Sequence, residues 1–258
     1  MKKEESRFIS SSTMEGMTSI SALLAARESG INDREIQKIL FDREKMKKKT
    51  REYRFLSDKC AQDQIPLVLC DASEIEALSI GNTHGGVLAL CTDRTLPRPT
   101  EQALPKNGFL AMIEGIEDPY NFGYALRSLY AAGVDGILLG ERNWMQAAGV
   151  VARASAGASE ALPIFAGNQM EAILACKALG YRIVCAGIRN AVGLYESDLT
   201  RPILLIVGGE KRGISAEVLA LADQIVRIDY GRDFRGSLSA AGAATVLGFE
   251  ILRQNKQK

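Results

Sequence analysis

Two stretches of the 258-residue chain leave an apolar run and at once present charged or amide side chains. The first, IVGGEKRGIS at 206–215, follows Pro202-Ile203-Leu204-Leu205-Ile206-Val207, so a strand should deliver it. Read as a phosphate loop, Gly208 and Gly213 would be its spaced glycines and Ser215 its magnesium hydroxyl, but the lysine required before that serine is Ile214. Without that cation nothing reaches the outer phosphates, and Glu210 would aim a carboxylate at a polyanion. A tight strand-to-helix turn accounts for Gly208 and Gly213 and leaves Glu210 between them unexplained. The second stretch, IEGIEDPYNFGYALRS at 113–128, offers Asn121 at a helix entrance and Arg127 almost two turns further on, so both can line one groove. Taken singly, they also fit a helix cap and a surface cation. Ligands of open parallel sheets sit beyond the carboxyl ends of strands, where both stretches fall.

The elements that must hold these residues alternate. GFLAMIEGI, GILLG, YRIVCAGI and PILLIVGG read as strands, with helices over 121–132, 144–151, 168–179 and 215–222 between them. That alternation predicts a mainly parallel sheet covered on both faces. The final SLSAAGAATVLGFEILRQ is helical and rich in small residues. Earlier in the chain, residues 17–42 read as short helices turning at Glu28-Ser29-Gly30, with Asp33 capping the second at DREIQKIL. IPLVLC (65–70) and GGVLAL (85–90) read as buried strands around a helix at 73–79, a small α/β module. Three prolines and no apolar period make 96–107 a linker between a domain at 1–95 and another at 108–258.

With 47% hydrophobic residues the chain can bury a sizeable core. Five cysteines without metal-type spacing, an N-terminal MKKEESRF without an apolar signal core, and apolar runs broken by charge or glycine predict a reduced, cytoplasmic protein with no membrane span and no metal. Net charge is only +1, yet Arg43–Arg54 is densely basic, and Lys45, Lys47, Lys48, Lys49 and Arg51 form its best phosphate-binding set. A solvated helix face is the other reading of that run. His84, the single histidine, reads as structural.

Taken in order, DPYNFGYALRSLYAAG (118–133), SAGA (155–158), IVGGEKRGIS and SLSAAGA (237–243) resemble the SPOUT superfamily of methyltransferases, TrmH/SpoU branch, over residues 108–258. HGGVLAL at 84–90 is similar to the closing strand of the substrate-binding domain that many members carry N-terminally. The resemblance implies an α/β fold whose C-terminal parallel sheet contains a deep trefoil knot, preceded by a small α/β RNA-binding domain. It implies S-adenosylmethionine as cofactor, methyl transfer to a ribose 2′-hydroxyl of rRNA or tRNA, and a homodimer, for which the small residues near Ala240, Ala243, Ala244 and Leu247 suit close helix approach. Gly208, Gly209, Glu210, Ile228 and Leu238 would face the cofactor, the two glycines letting backbone come near it.

Because the sulfonium donor is already activated, the protein must orient an in-line displacement and make a ribose hydroxyl nucleophilic. Arg127 would stabilise the forming alkoxide or position phosphate, since a guanidinium stays protonated. Asn121 and Glu210 would hold Arg127 and the ribose, with Ser237 and Ser239 completing the set. The family's last motif usually reads Ser-Leu-Asn where this chain has Ser237-Leu238-Ser239, and its Ile-Pro is here Ile228-Asp229, followed by the charged YGRDFRG. A non-catalytic RNA-binding relative that kept the fold is the alternative reading.

Overall fold

In a computed structural model, residues 12–116, 118–141 and 143–256 are described. They form two compact units that do not follow chain order, one of Met1–Thr95 with Trp144–Ala161, the other of Leu96–Asn143 with Leu162–Lys258.

The first unit holds β1 (Thr13–Glu15), α1 (Gly16–Glu28), β2 (Ile36–Asp42), α2 (Arg43–Met46), α3 (Thr50–Asp63), β3 (Leu67–Cys70), α4 (Ala72–Leu78) and β4 (Val87–Cys91), joined by α6 (Ala148–Ala154) and α7 (Ala158–Ala161). Its sheet runs β1-β4-β2-β3, with only the β2–β3 pair parallel. The helix expected at DREIQKIL is instead the central strand β2. Its two faces are both buried, Ile39 and Phe41 among the residues around Leu23 and Leu56, and Leu40 with Ile75 and Leu88. A register shift between Ile36 and Lys38 returns Ile36 to the face of Ile39. That shift gives a strand the three-residue apolar spacing of a helix. Asp33 caps nothing here; its carboxylate accepts from the Thr95 amide, and hydrogen bonds from Thr95 hold it below its ordinary pKa.

A buried network ties α7 to the β2 entrance. Arg34 Nε and Asn32 Nδ2 both donate to Glu160 Oε2, at 2.9 and 2.6 Å, and Arg34 also donates to the Thr92 carbonyl. An ion pair this deep requires all its partners, because an unpaired buried charge is costly.

The second unit contains β5 (Phe109–Glu114), α5 (Pro119–Ala131), β6 (Gly136–Leu139), β7 (Ile164–Ala166), α8 (Gln169–Ala178), β8 (Arg182–Ala186), β9 (Val192–Gly193), β10 (Ile203–Gly208), α9 (Ala216–Leu219), β11 (Gln224–Arg227) and α10 (Ala240–Asn255). Its sheet is parallel throughout, in the order β7-β6-β5-β10-β8-β11-β9. Leu110, Met112, Leu204 and Ile206 pack one face against α8 and α9 residues Ile173 and Val218. On the opposite face α10 comes close enough to α5 that a Cβ on Gly248 would meet Ala132 at 3.2 Å and Leu129 at 3.4 Å. Ala240, Ala244 and Leu247 are buried within the chain, so small residues there serve this internal packing. Residues 96–107 hold no helix or strand but are anchored to this unit through Leu104 in its core and a 2.7 Å hydrogen bond from the Tyr181 hydroxyl to the Pro105 carbonyl.

Candidate functional site

The carboxyl ends of β5 and β10 lie side by side, with Gly208 opposite Glu114. Here the glycines have a cause that the sequence conceals. A Cβ on Gly208 would sit 2.4 Å from the Gly213 carbonyl carbon, and one on Gly209 would sit 2.0 Å from the Gly115 carbonyl oxygen. Both glycines therefore admit other backbone of the same chain. Gly213 takes φ +64°, and its amide donates to the Gly209 carbonyl at 2.9 Å, folding the loop on itself. Ser215 then caps α9, accepting from the Val218 amide.

The start of α5 is fixed by Asp118, whose carboxylate accepts from the Asn121 amide at 2.7 Å, with Pro119 in the first turn. Since Asp118 does the capping, the Asn121 side chain is free to reach across 89 positions and donate to Glu210 Oε1 at 3.3 Å. The same oxygen accepts from the Ala240 amide at 3.0 Å, at the amino end of α10. A carboxylate there is favoured by the helix dipole. Ser239 is the N-cap of that helix, its hydroxyl accepting from the Gly242 amide at 3.1 Å.

Beside this junction opens a cavity of about 890 Å³ whose lining includes Gly208, Gly209, Glu210, Ile228, Ser237 and Leu238. That size suits a small organic ligand. Asn121, Arg127 and Ser239 are outside its lining. Arg127 stands on the exposed side of α5, without a hydrogen bond or ion pair among the described residues, so Asn121 and Glu210 hold each other and do not hold Arg127. Sequence reasoning assigned no role to Arg189, Arg212, Tyr230, Arg232, Phe234 and Arg235, which also line the cavity. For Tyr230, Arg232, Phe234 and Arg235 the signal was the charged YGRDFRG in a chain of nearly balanced charge, and Arg212 stood within IVGGEKRGIS; Arg189 carried none. Asp229, in the position of the usual proline, accepts from Arg227 Nε at 2.6 Å.

In the first unit, Lys45 lies near Asp42 at 3.8 Å and Lys49 pairs with Glu52 at 3.2 Å, whereas Lys47, Lys48 and Arg51 are exposed and unpaired among the described residues. His84 is buried and its Nδ1 accepts from the Gly86 amide. Burial pushes the Cys91, Cys176 and Cys185 thiols up to about 12, so none is a ready nucleophile. Among the described residues no group of three or more His, Cys, Asp or Glu could hold a metal, and no helix is long and apolar enough to cross a membrane.

A parallel sheet with a glycine-bounded cavity beyond its strand ends defines an α/β domain of the kind that takes a nucleotide-like ligand at that edge. Comparison with known proteins narrows this class. Residues 108–249 match the model described as the SpoU rRNA Methylase family, and the chain belongs to that family. It is 29% identical over 238 residues to a putative TrmH family tRNA/rRNA methyltransferase of Staphylococcus saprophyticus, covering 89% of this chain and 93% of the relative. It is 26% identical over 249 residues to a 23S rRNA (guanosine-2′-O-)-methyltransferase RlmB of a Burkholderia species, covering 95% and 97%. A crystal structure of an RNA 2′-O ribose methyltransferase superposes with TM-score 0.73 at 25% identity, covering 98% of this chain and 95% of that one. The SpoU methyltransferase AviRb from Streptomyces viridochromogenes, solved with AdoMet, shares the fold with TM-score 0.75 at 20% identity, covering 98% and 97%.

Proposed function

We propose that this chain transfers a methyl group from S-adenosylmethionine to a ribose 2′-hydroxyl of rRNA or tRNA. The observation that carries the reading is the junction of Asn121, Glu210 and the α10 amino end beside the cavity. The donor supplies an activated methyl on a sulfonium. Its proposed place is the cavity, where Gly208 and Gly209 leave the wall free of side chains, Glu210 and Ser237 offer polar groups, and Ile228 and Leu238 offer apolar surface, a mixture that fits an amino acid joined to a nucleoside.

The chain's own part is positioning and electrostatics. Glu210 locks the end of β10 to α5 and α10, and Ser237 faces the cavity from the segment that leads into α10. Arg127 is assigned to the ribose oxygen or its phosphate, where a permanent cation lowers the cost of the forming alkoxide. Since Arg127 lies outside the cavity lining, this role needs a partner surface that brings RNA and cavity to it. Pairing of two copies through α5 and α10 supplies one; these helices leave Tyr124 49%, Tyr130 51% and Phe249 45% exposed, with Arg127 midway between the two tyrosines. We also assign the trefoil knot to the region around β10, which inserts between β5 and β8 although it follows both in the chain. Lys47, Lys48 and Arg51 are proposed to gather phosphate, and the protein to act in the cytoplasm. The Ser239 hydroxyl already caps α10, so its departure from asparagine gives no support to a non-catalytic reading.

Calorimetry with S-adenosylmethionine, followed by tritium transfer to bulk RNA from a strain lacking the gene, tests this function. Saturable binding and label in ribose 2′-O-methyl nucleotides are expected. Binding without transfer to any RNA would make the chain a non-catalytic relative.

A further inference from the structure

The cavity of the second unit carries more positive charge than a methyl donor can use. Arg189, Arg212, Arg232 and Arg235 line it, are exposed, and have no ion pair or hydrogen bond among the described residues. S-adenosylmethionine carries a sulfonium and an ammonium against one carboxylate and is a net cation. With Asp229 paired to Arg227, the four free guanidiniums still outnumber the carboxylates of Glu210 and Asp233 in the lining, and the surplus suits a polyanion beside the donor.

Two aromatic rings stand among these cations, with centroids 5.7 Å apart and planes tilted by 58°. Tyr230 is held in place, because its hydroxyl accepts from the Leu238 amide at 3.1 Å. Phe234 has a built seat, since a Cβ on Gly236 would come within 2.5 Å of its ring, yet Phe234 is 55% exposed. An aromatic side chain that is fixed on one side, open on another and flanked by arginines at 232 and 235 has the makings of a base-stacking platform.

We propose that Phe234 stacks on a base of the RNA substrate at the cavity rim while Arg232 and Arg235 hold neighbouring phosphates, so that segment 230–236 selects and orients the target nucleotide. The proposal rests on the reading that the cavity holds the methyl donor. A cover over the donor itself is the competing role for this segment, and it would press unpaired guanidiniums against a cation.

The test uses the full chain, a short fluorescein-labelled single-stranded RNA of mixed sequence, and S-adenosylmethionine as separate ligands. Phe234→Ala should weaken RNA binding about ten-fold by anisotropy and leave donor affinity within about two-fold by calorimetry. Phe234→Trp should restore RNA affinity, and its fluorescence should be quenched by RNA beyond any quenching of the wild type. The double change Arg232→Gln with Arg235→Gln should flatten the dependence of log affinity on log salt by about 0.7 for each phosphate that is no longer neutralised. Unchanged RNA affinity in Phe234→Ala, or donor affinity that falls while RNA affinity holds, overturns the platform. Failure of the underlying reading shows separately: a folded Gly209→Ala protein with undiminished donor affinity would move the donor elsewhere, while the RNA measurements still decide the role of Phe234.

Discussion

Replacing Glu210 by alanine removes the oxygen on which three elements converge. It accepts from Asn121 Nδ2 at 3.3 Å and from the Ala240 amide at 3.0 Å, and its charge sits at the amino end of α10. Hydrogen bonds to a charged group are worth about 1.5–3 kcal/mol each when sheltered. Glu210 is exposed, so water competes and the pair together contributes only about 1–2 kcal/mol, with about 0.5 kcal/mol more from the helix dipole. The expected loss is about 2 kcal/mol, which lowers the melting temperature by about 4–8 °C in a domain of this size. Transfer should suffer more than stability, because a displacement of about 1 Å at a reacting centre can cost about 100-fold in rate. Glu210→Gln keeps an oxygen at the same reach and loses only the charge, so it should recover more than half of the lost stability and about ten-fold in rate. Calorimetric melting of the full chain and single-turnover transfer at saturating donor measure the two effects. If Glu210→Ala melts within about 1 °C of wild type and transfers at the wild-type rate, the junction does not organise the site.

Gly209→Ala would put a Cβ 2.0 Å from the Gly115 carbonyl oxygen, where 3.0 Å is already too close, so the ends of β5 and β10 must part by about 1 Å. Such overpacking costs about 1–3 kcal/mol, and the donor's calorimetric affinity should drop at least ten-fold. Ser239→Ala should lose about 1 kcal/mol of stability with the cap, whereas Ser239→Asn should keep it, and its longer amide should raise the single-turnover rate; a slower Ser239→Asn would mean that the cap geometry is tuned to serine. The thiols of Cys91, Cys176 and Cys185 remain neutral in the fold up to about 12 against an ordinary 9.0, so their stabilisation is complete below pH 9 and is lost as pH rises from 9 towards 12 while the unfolded chain ionises. Urea midpoints should fall over that window, less so in Cys185→Ala, and at pH 8 the native protein should leave these three thiols unlabelled by a thiol reagent.

Much of the second unit was written locally. β5 and β10 are buried on both faces and read as unbroken apolar runs, and α5 read as a helix from 121, although its cap is Asp118 and not Asn121. The short strands β7 and β9 were not visible, because two or three residues carry no period and become strands only when a neighbour offers its edge, and β11 sets only Ile225 and Val226 between polar ends. β2 misled for a related reason, since its register shift depends on β4, some fifty positions away in the chain, and leaves an apolar spacing that mimics a helix.

Local pattern along the chain was enough to specify the parallel α/β character, the glycines at the end of β10, and Asn121 and Glu210 beyond strand ends with Arg127 on the helix that follows, because apolar period and turn chemistry are local properties. Tertiary structure alone decided what those residues touch. Gly209 is small because the Gly115 carbonyl lies against it, Glu210 meets Asn121 across 89 positions, and Arg127 is exposed and outside the cavity lining. Contacts between strand ends depend on which strands become neighbours, and insertion of β10 between β5 and β8 is settled by the packing of the whole sheet.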